Sequence, residues 1–382
     1  MSCMIQLPVR VHYGQNSLEQ VSETIKRNNV RRALVFTDQS LRKLGTTAAL
    51  EALIAKAGAV PEVVDQIIPE PSVSDVEKTL GAVKNPQADL LIGIGGGSVM
   101  DTAKLASVLL GASYGVRDLL KDPLKAEKKL RTLMIPTTCG TGSEATCNAI
   151  VAIPEEQVKK GIVNPALIPD EVILDVNLIA ALPRRIIAAT GVDALAHSVE
   201  CYTSKKATPL SNLYAAEGAR LIFHNIEKAY SEGDTEALQN MLLGAFYGGV
   251  AITGSGTTAV HALSYPLGGR YHIAHGVSNA ILFAQVMAFN RDACKSRLGA
   301  LSNAVYPEYS LKSEDERADS IIRRISEVVQ NTEIPLSLKE FGVKDEDLED
   351  LVLAGSQQTR LLVNNMKELS LDDIRSIYRR VI

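Results

Sequence analysis

Tryptophan is absent from this chain of 382 residues, and aromatic side chains make up only 4% of it. So thin a supply argues against the stacked-base platforms of single-stranded nucleic-acid binders. A basic surplus is missing too: 40 Lys and Arg stand against 44 Asp and Glu, for a net charge of −4. Nucleic-acid binding needs the opposite, a concentrated positive face that displaces counterions. No apolar run reaches the roughly 18 residues of a membrane span, so none is expected. The opening MSCMIQLPVRVHYG lacks the basic-then-apolar pattern of a secretory signal, and the expected location is the cytoplasm. Cysteine is sparse and scattered, at Cys3, Cys139, Cys147, Cys201 and Cys294, with no CxxC pair. That spacing excludes a disulfide framework and a thiolate zinc site. Histidine is scarce as well, with six in all, yet His261, His272 and His275 crowd into one short stretch.

What is present has a clear order. The length predicts two domains of about 150–200 residues. In the first half, buried β-branched runs alternate with helical patterns. RRALVFTDQSL reads as a strand and a turn, and KLGTTAALEALIAKAG as a helix closed by Gly58. PEVVDQII is a second strand, and the next helix opens on the capping box Ser74-x-x-Glu77. ADLLIGIGGGS and RTLMIPTT are further strands, with the helix VMDTAKLASVLLG between them. Such alternation predicts parallel strands with crossover helices. ATCNAIVAI and EVILDVNLIAALP are shorter strands, and after Pro183 long helical patterns take over. The boundary is placed near 180, between an α/β half and an all-helical half.

Gly95-Gly96-Gly97-Ser98 follows the strand DLLIGI and opens the helix VMDTAK. Glycines at such a junction let backbone N–H groups approach an anion, and the helix N-terminus adds a favourable dipole. A pyrophosphate is the natural guest. The pattern is neither G-x-G-x-x-G nor a Walker A loop, and a triple glycine also serves as a plain tight turn, with Ser98 an N-cap and Asp101 a first-turn acid. A second polar loop, Pro136-Thr137-Thr138-Cys139-Gly140-Thr141-Gly142-Ser143, leaves the strand TLMI. Two such loops at strand C-termini, where open α/β sheets bind ligands, favour a nucleotide. Asp38 ends the first strand and could accept from ribose hydroxyls while repelling a 2′-phosphate, or simply initiate a turn.

In the helical half, Asp193 and His197 stand four apart in GVDALAHSVECY and so share a helix face. His261 and His275 flank ALSYPLGGRYHIA, where Pro266 and Gly268-Gly269 are expected to break the helix and let the two imidazoles converge. One carboxylate and three imidazoles suit Fe²⁺ or Zn²⁺; a buried helix-face histidine with a carboxylate neighbour is the simpler alternative for Asp193 and His197. His12 and His224 read as ordinary histidines, and Cys147 as a small packed residue.

GGGSVMDTAK, PTTCGTGSEAT, GVDALAHSVE and HALSYPLGGRYHIAHGVSNAILF, in this order and spacing, resemble the motif series of the iron-containing (group III) alcohol dehydrogenase family. The ending TRLLVNNMKELSLDDIRSIY resembles that family's C-terminus. The resemblance implies an α/β, Rossmann-like N-terminal domain over 1–180 that binds the dinucleotide, and an all-α metal- and substrate-binding domain over 181–382: a dehydroquinate synthase-like fold. It implies metal ligation by Asp193, His197, His261 and His275, with Fe²⁺ expected first and Zn²⁺ second. It implies pyrophosphate binding by Gly95, Gly96, Gly97 and Ser98 with Asp101 in support, and Thr137, Thr138 and Thr141 lining the nucleotide site. Asp38 sits where NAD-preferring members carry an acid, so NAD(H) is expected over NADP(H). The implied activity is reversible oxidation of a small alcohol to an aldehyde or ketone by a homo-oligomer, with a dimer expected. One departure concerns the proton: many members carry a second histidine four residues after the first, where this chain has Tyr265. Tyr265, His272 or water is left to relay it, and Arg270 to meet an anionic group or solvent. The alternatives are a glycerol-dehydrogenase-like or dehydroquinate-synthase-like enzyme, both usually with three protein ligands, or a catalytically idle NAD- or metal-binding protein.

Overall fold

The computed structural model describes residues 4–156 and 158–382. Two compact units divide it. Gln6–Thr138 and Ser143–Ala181 form the first, apart from residue 157. Leu182–Ile382 forms the second, joined by Cys139–Gly142 and by the described start of the chain, Met4 and Ile5.

The α/β unit is built on a six-stranded sheet. Its strands are β1 (Arg10–Tyr13), β2 (Arg32–Phe36), β3 (Val60–Val64), β4 (Leu90–Gly95), β5 (Arg131–Pro136) and, after a hairpin of β6 (Asn148–Ile153) and β7 (Val158–Val163), β8 (Glu171–Leu174). The sheet order is β1-β8-β5-β4-β2-β3, and every pairing within it is parallel. Helices α1 (Gln20–Arg27), α2 (Gln39–Lys43), α3 (Thr46–Lys56), α4 (Val73–Gly81) and α5 (Gly97–Leu109) connect the first strands. The period-2 geometry of a strand sends alternate residues to opposite faces. Ala33, Val35, Leu90, Ile92, Ile94, Leu133 and Ile135 pack with Val21, Ile25, Leu50 and Ile54 of α1 and α3. Leu34, Phe36, Leu91 and Met134 face the other way, against Met100, Ala103 and Ala106 of α5. Both faces are therefore covered, which is why β4 reads as an unbroken apolar run and is buried at every position.

The helical unit follows with α6 (Arg184–Thr203), α7 (Pro209–Glu232), α8 (Thr235–Ser255), α9 (Ala259–Tyr271), α10 (His275–Val305) and α11 (Glu314–Asn331), then shorter helices to the C-terminus. None of the described helices is long and apolar enough to cross a membrane. Among the described residues, Cys139, Cys147, Cys201 and Cys294 form no disulfide; Cys3 lies outside the described residues.

Two local expectations are corrected. The capping box is Ser72 with Asp75, not Ser74 with Glu77: Ser72 Oγ accepts from Asp75 N at 3.2 Å, and Asp75 Oδ2 from Ser72 N at 2.9 Å. Starting the helix two residues earlier buries Val73 and Val76 on one face. Pro266 and Gly268-Gly269 do not interrupt α9, which runs through them to Tyr271. Residues 259–268 are buried throughout, and that packing outweighs the lost proline hydrogen bond. The break comes instead at His272, in the left-handed region at φ 55°.

Candidate active site

The parallel sheet decides where its loops go. β5, β4 and β2 are neighbours, and their C-terminal ends share one edge, with Gly95 level with Pro136 and Gly93 with Phe36. The threonine loop leaves β5, the glycine turn leaves β4 and Asp38 follows β2. At the turn, an added Cβ on Gly95 would lie 2.6 Å from Val99 Cβ, so only glycine lets the chain enter α5 there. The N-cap of α5 is Gly96, not Ser98. Ser98 Oγ instead accepts from Glu70 N at 2.9 Å. Thr137 N donates to Gly95 O at 3.0 Å, and Thr138 Cγ2 would stand 3.7 Å from a Cβ on Gly96, so Thr137 and Thr138 adjoin the turn. Asp101 holds the next segment: it accepts from Ser143 Oγ at 2.5 Å and Ile150 N at 2.8 Å. Fully buried Lys104 completes that brace, 3.0 Å from Asp101 and donating to Ser143 O at 2.9 Å. Asp38 caps α2 through Oδ1, which accepts from Ser40 N and Leu41 N at 2.8 and 3.1 Å.

In the helical unit, α6 presents Asp193 and His197 one turn apart, α9 carries His261 near its start, and His275 opens α10. One ligand atom from each lies within 4.8 Å of the others. Asp193 Oδ1 is 3.6 Å from both His261 Nε2 and His275 Nε2, and 3.9 Å from His197 Nε2. Metal bonds of about 2.0–2.2 Å place tetrahedral donors about 3.4 Å apart, so the spacing fits a small divalent ion. The donor chemistry fits as well. The Asn279 amide lies 2.6 Å from Asp193 Oδ1, 3.2 Å from His261 Nε2 and 3.3 Å from His275 Nε2, so three acceptor-capable atoms converge on one point. Asn279 Oδ1 is buried without a partner.

Electrostatics inside the cluster is strong. Burial opposes ionisation of Asp193, but the surrounding imidazoles hold its carboxyl well below the usual range. Burial pulls His197 down to about 4. It also opposes the charge on His261, yet the Glu200 and Asp193 carboxylates push that imidazole up to about 9.

Comparison with known proteins decides the family. Residues 8–176 match the iron-containing alcohol dehydrogenase model, and residues 187–382 match the C-terminal model of the Fe-containing alcohol dehydrogenase family. This chain belongs to the iron-containing alcohol dehydrogenase family. It is 37% identical to long-chain-alcohol dehydrogenase 1 of Geobacillus thermodenitrificans, over 98% of this chain and 95% of that protein. Lactaldehyde reductase of Escherichia coli K12 is 29% identical over 96% of each. Among solved structures, a 1,3-propanediol oxidoreductase superposes with a TM-score of 0.95 at 27% identity, covering 100% of both chains.

This family member holds its proposed residues unevenly. The four metal-ligand candidates meet. Thr141 belongs to the helical unit through Cys139–Gly142, whereas Thr137 and Thr138 remain with the sheet. Tyr265 is buried, its ring 5.8 Å from that of His275. His272 is exposed at the end of α9 and is not one of the four clustered residues. Arg270 pairs with Asp350 at 2.8 Å, and His224 Nε2 lies 2.8 Å from Val305 O. Unforeseen from the sequence were Asn279, Glu200 and Lys104, and also Glu70 with Lys159. Glu70 sits in the left-handed region at φ 54° beside Ser98, and accepts from Lys159 Nζ at 2.5 Å. The acid three residues after His197 was a visible signal for Glu200; Glu70 offered none.

Proposed function

We propose that this alcohol dehydrogenase family member is a metal-dependent, NAD(H)-linked enzyme of the cytoplasm that interconverts a small alcohol with its aldehyde or ketone. The observation that carries the reading is the convergence of Asp193, His197, His261 and His275, one carboxylate and three imidazoles, in a largely buried pocket of acceptors. A divalent ion there, Fe²⁺ in our reading, would polarise the substrate oxygen, while NAD would exchange a hydride with the adjacent carbon. The chain's own share is to hold and to exclude. Gly95, Gly96, Gly97 and Ser98 offer backbone and hydroxyl donors to the pyrophosphate, Asp101 braces the following loop, and Thr137, Thr138 and Thr141 line the nucleotide. Tyr265 and His272 are the side chains proposed for proton transfer, the first beside His275 and the second open to water.

Anaerobic purification with metal analysis, followed by an alcohol and aldehyde screen at 340 nm with both cofactors, tests this. We expect about one iron per chain and turnover that chelation abolishes; unimpaired turnover of metal-free protein would overturn the reading. Asp38 bears on cofactor choice, since Oδ1 is spent on the cap and Oδ2 remains to accept from ribose. Asp38→Gly is expected to raise the NADP/NAD ratio of kcat/KM by about tenfold, the equivalent of one moderate interaction. An unchanged ratio would remove Asp38 from that role. The proposed dimer is supported by the edge strand β1, where Val11 and Tyr13 reach the surface, and light scattering checks it.

A further inference from the structure

Glu200 is fully buried on α6, seven residues after Asp193 and three after His197. Asp193, His197 and Glu200 therefore form one stripe of the helix. Its two oxygens serve different partners. Oε1 accepts from Thr258 N at 3.1 Å, Thr258 Oγ1 at 2.6 Å and Val260 N at 2.8 Å. These donors lie at the first turn of α9, where unpaired N–H groups and the helix dipole favour an anion. Oε2 faces Nδ1 of His261 in direct hydrogen-bond contact. With Nδ1–H given to Glu200, the lone pair of His261 lies on Nε2, which faces Asp193 and His275. The ring is also held from one side by His197, with centroids 4.6 Å apart and an interplanar angle of 25°.

We propose that Glu200 is a positioning residue of the metal centre, fixing both the orientation of the His261 ring and the nitrogen that His261 offers. The inference rests on the metal reading above. Partners of this kind orient a ligand and raise its basicity, and their loss typically weakens metal binding 10–100-fold.

The arrangement makes Glu200→Gln an unusually directed change. Three donors converge on Oε1, so the glutamine oxygen must stay there and its NH₂ must face His261. That NH₂ donates where Oε2 accepted. His261 then receives a hydrogen bond at Nδ1 and carries its proton on Nε2, aimed into the ligand set. The side chain keeps its shape and its contacts to α9, and only the His261 contact is reversed.

Zn²⁺ and Co²⁺ affinities of the metal-free full-length protein, measured by chelator competition, test this without reference to turnover. Glu200→Gln is expected to weaken both by 10–100-fold. Thr258→Val removes a donor to Oε1 but leaves the contact with His261. It is expected to change metal affinity by less than about threefold, within the range of a neighbouring structural effect. Equal weakening in the two variants, or an affinity of Glu200→Gln within twofold of the parent, would overturn the assignment. Should Glu200→Gln fail to fold, ¹⁵N-imidazole spectra of the Zn²⁺-loaded parent, with His261 selectively identified, decide the matter. A proton on Nδ1 supports the proposal, and a proton on Nε2 refutes it. A parent protein that binds neither ion would instead overturn the metal reading itself.

Discussion

Asp193→Ala is expected to reduce alcohol turnover by about four orders of magnitude and to bring bound metal well below one equivalent per chain. Asp193 is the only carboxylate among the four clustered residues, and its Oδ1 is the atom against which the three imidazoles are spaced. Without it, the site offers three imidazoles and no carboxylate, and the Asn279 amide loses its shortest partner. Lewis-acid polarisation of a substrate oxygen supplies several kcal/mol of transition-state stabilisation. At 1.36 kcal/mol per decade, losing about 5 kcal/mol corresponds to that rate deficit. NADH affinity should stay within about threefold, because the glycine turn folds in the other unit. The protein has no tryptophan, so NADH binding is best followed through the cofactor's own emission. Full turnover in a metal-free Asp193→Ala protein would remove the cluster from the reaction.

How far the sequence could anticipate such a site depends on the range of the interactions involved. β2, β4 and β5 were legible because a strand covered on both faces is apolar along its whole length. β1 and β7 were not. RVHY is short and polar at the sheet edge, and VKKGIV carries two lysines; each is a strand because of its partner, β8 or β6. The helix through Pro266 was misread for a similar reason, since burial around residues 259–268 overrides a local breaker. The four metal-ligand candidates were legible by motif order, with Asp193 and His197 also paired by helical spacing. Their supporting shell was hidden. Glu200 meets His261 across 61 residues, Asn279 meets Asp193 across 86, and Lys104 meets Ser143 across 39. Periodicity reports which face a side chain is on; it does not report what waits opposite.

That dependence on distant neighbours gives a second large effect, Gly276→Ala. Gly276 is the residue after His275, in the first turn of α10, and it lies directly against α6. An added Cβ would stand 2.7 Å from the carbonyl carbon of Ala189 and 3.4 Å from its Cα, with the carbonyl oxygen closer still. Carbon atoms settle at about 3.5–4.0 Å. What must move is helix backbone, not a side-chain tip. Ala189 lies four residues before Asp193, so its carbonyl is the one that receives the Asp193 N–H in an α-helix. The methyl therefore presses on the turn that carries one metal-ligand candidate, Asp193, while displacing the residue beside another, His275. Overpacking of this kind costs about 3 kcal/mol, which for a unit of this size lowers Tm by about 6–12 °C. Metal affinity should fall by at least about tenfold, since donors displaced by a fraction of an ångström no longer meet at bonding distance. Gly81→Ala is the matched control. Gly81 ends α4 with nothing within 4 Å of an added Cβ, and the change should leave Tm unaltered or raise stability by about 0.4–1 kcal/mol. If Gly276→Ala behaves like Gly81→Ala in both Tm and metal content, the approach of α10 to α6 is not what places His275.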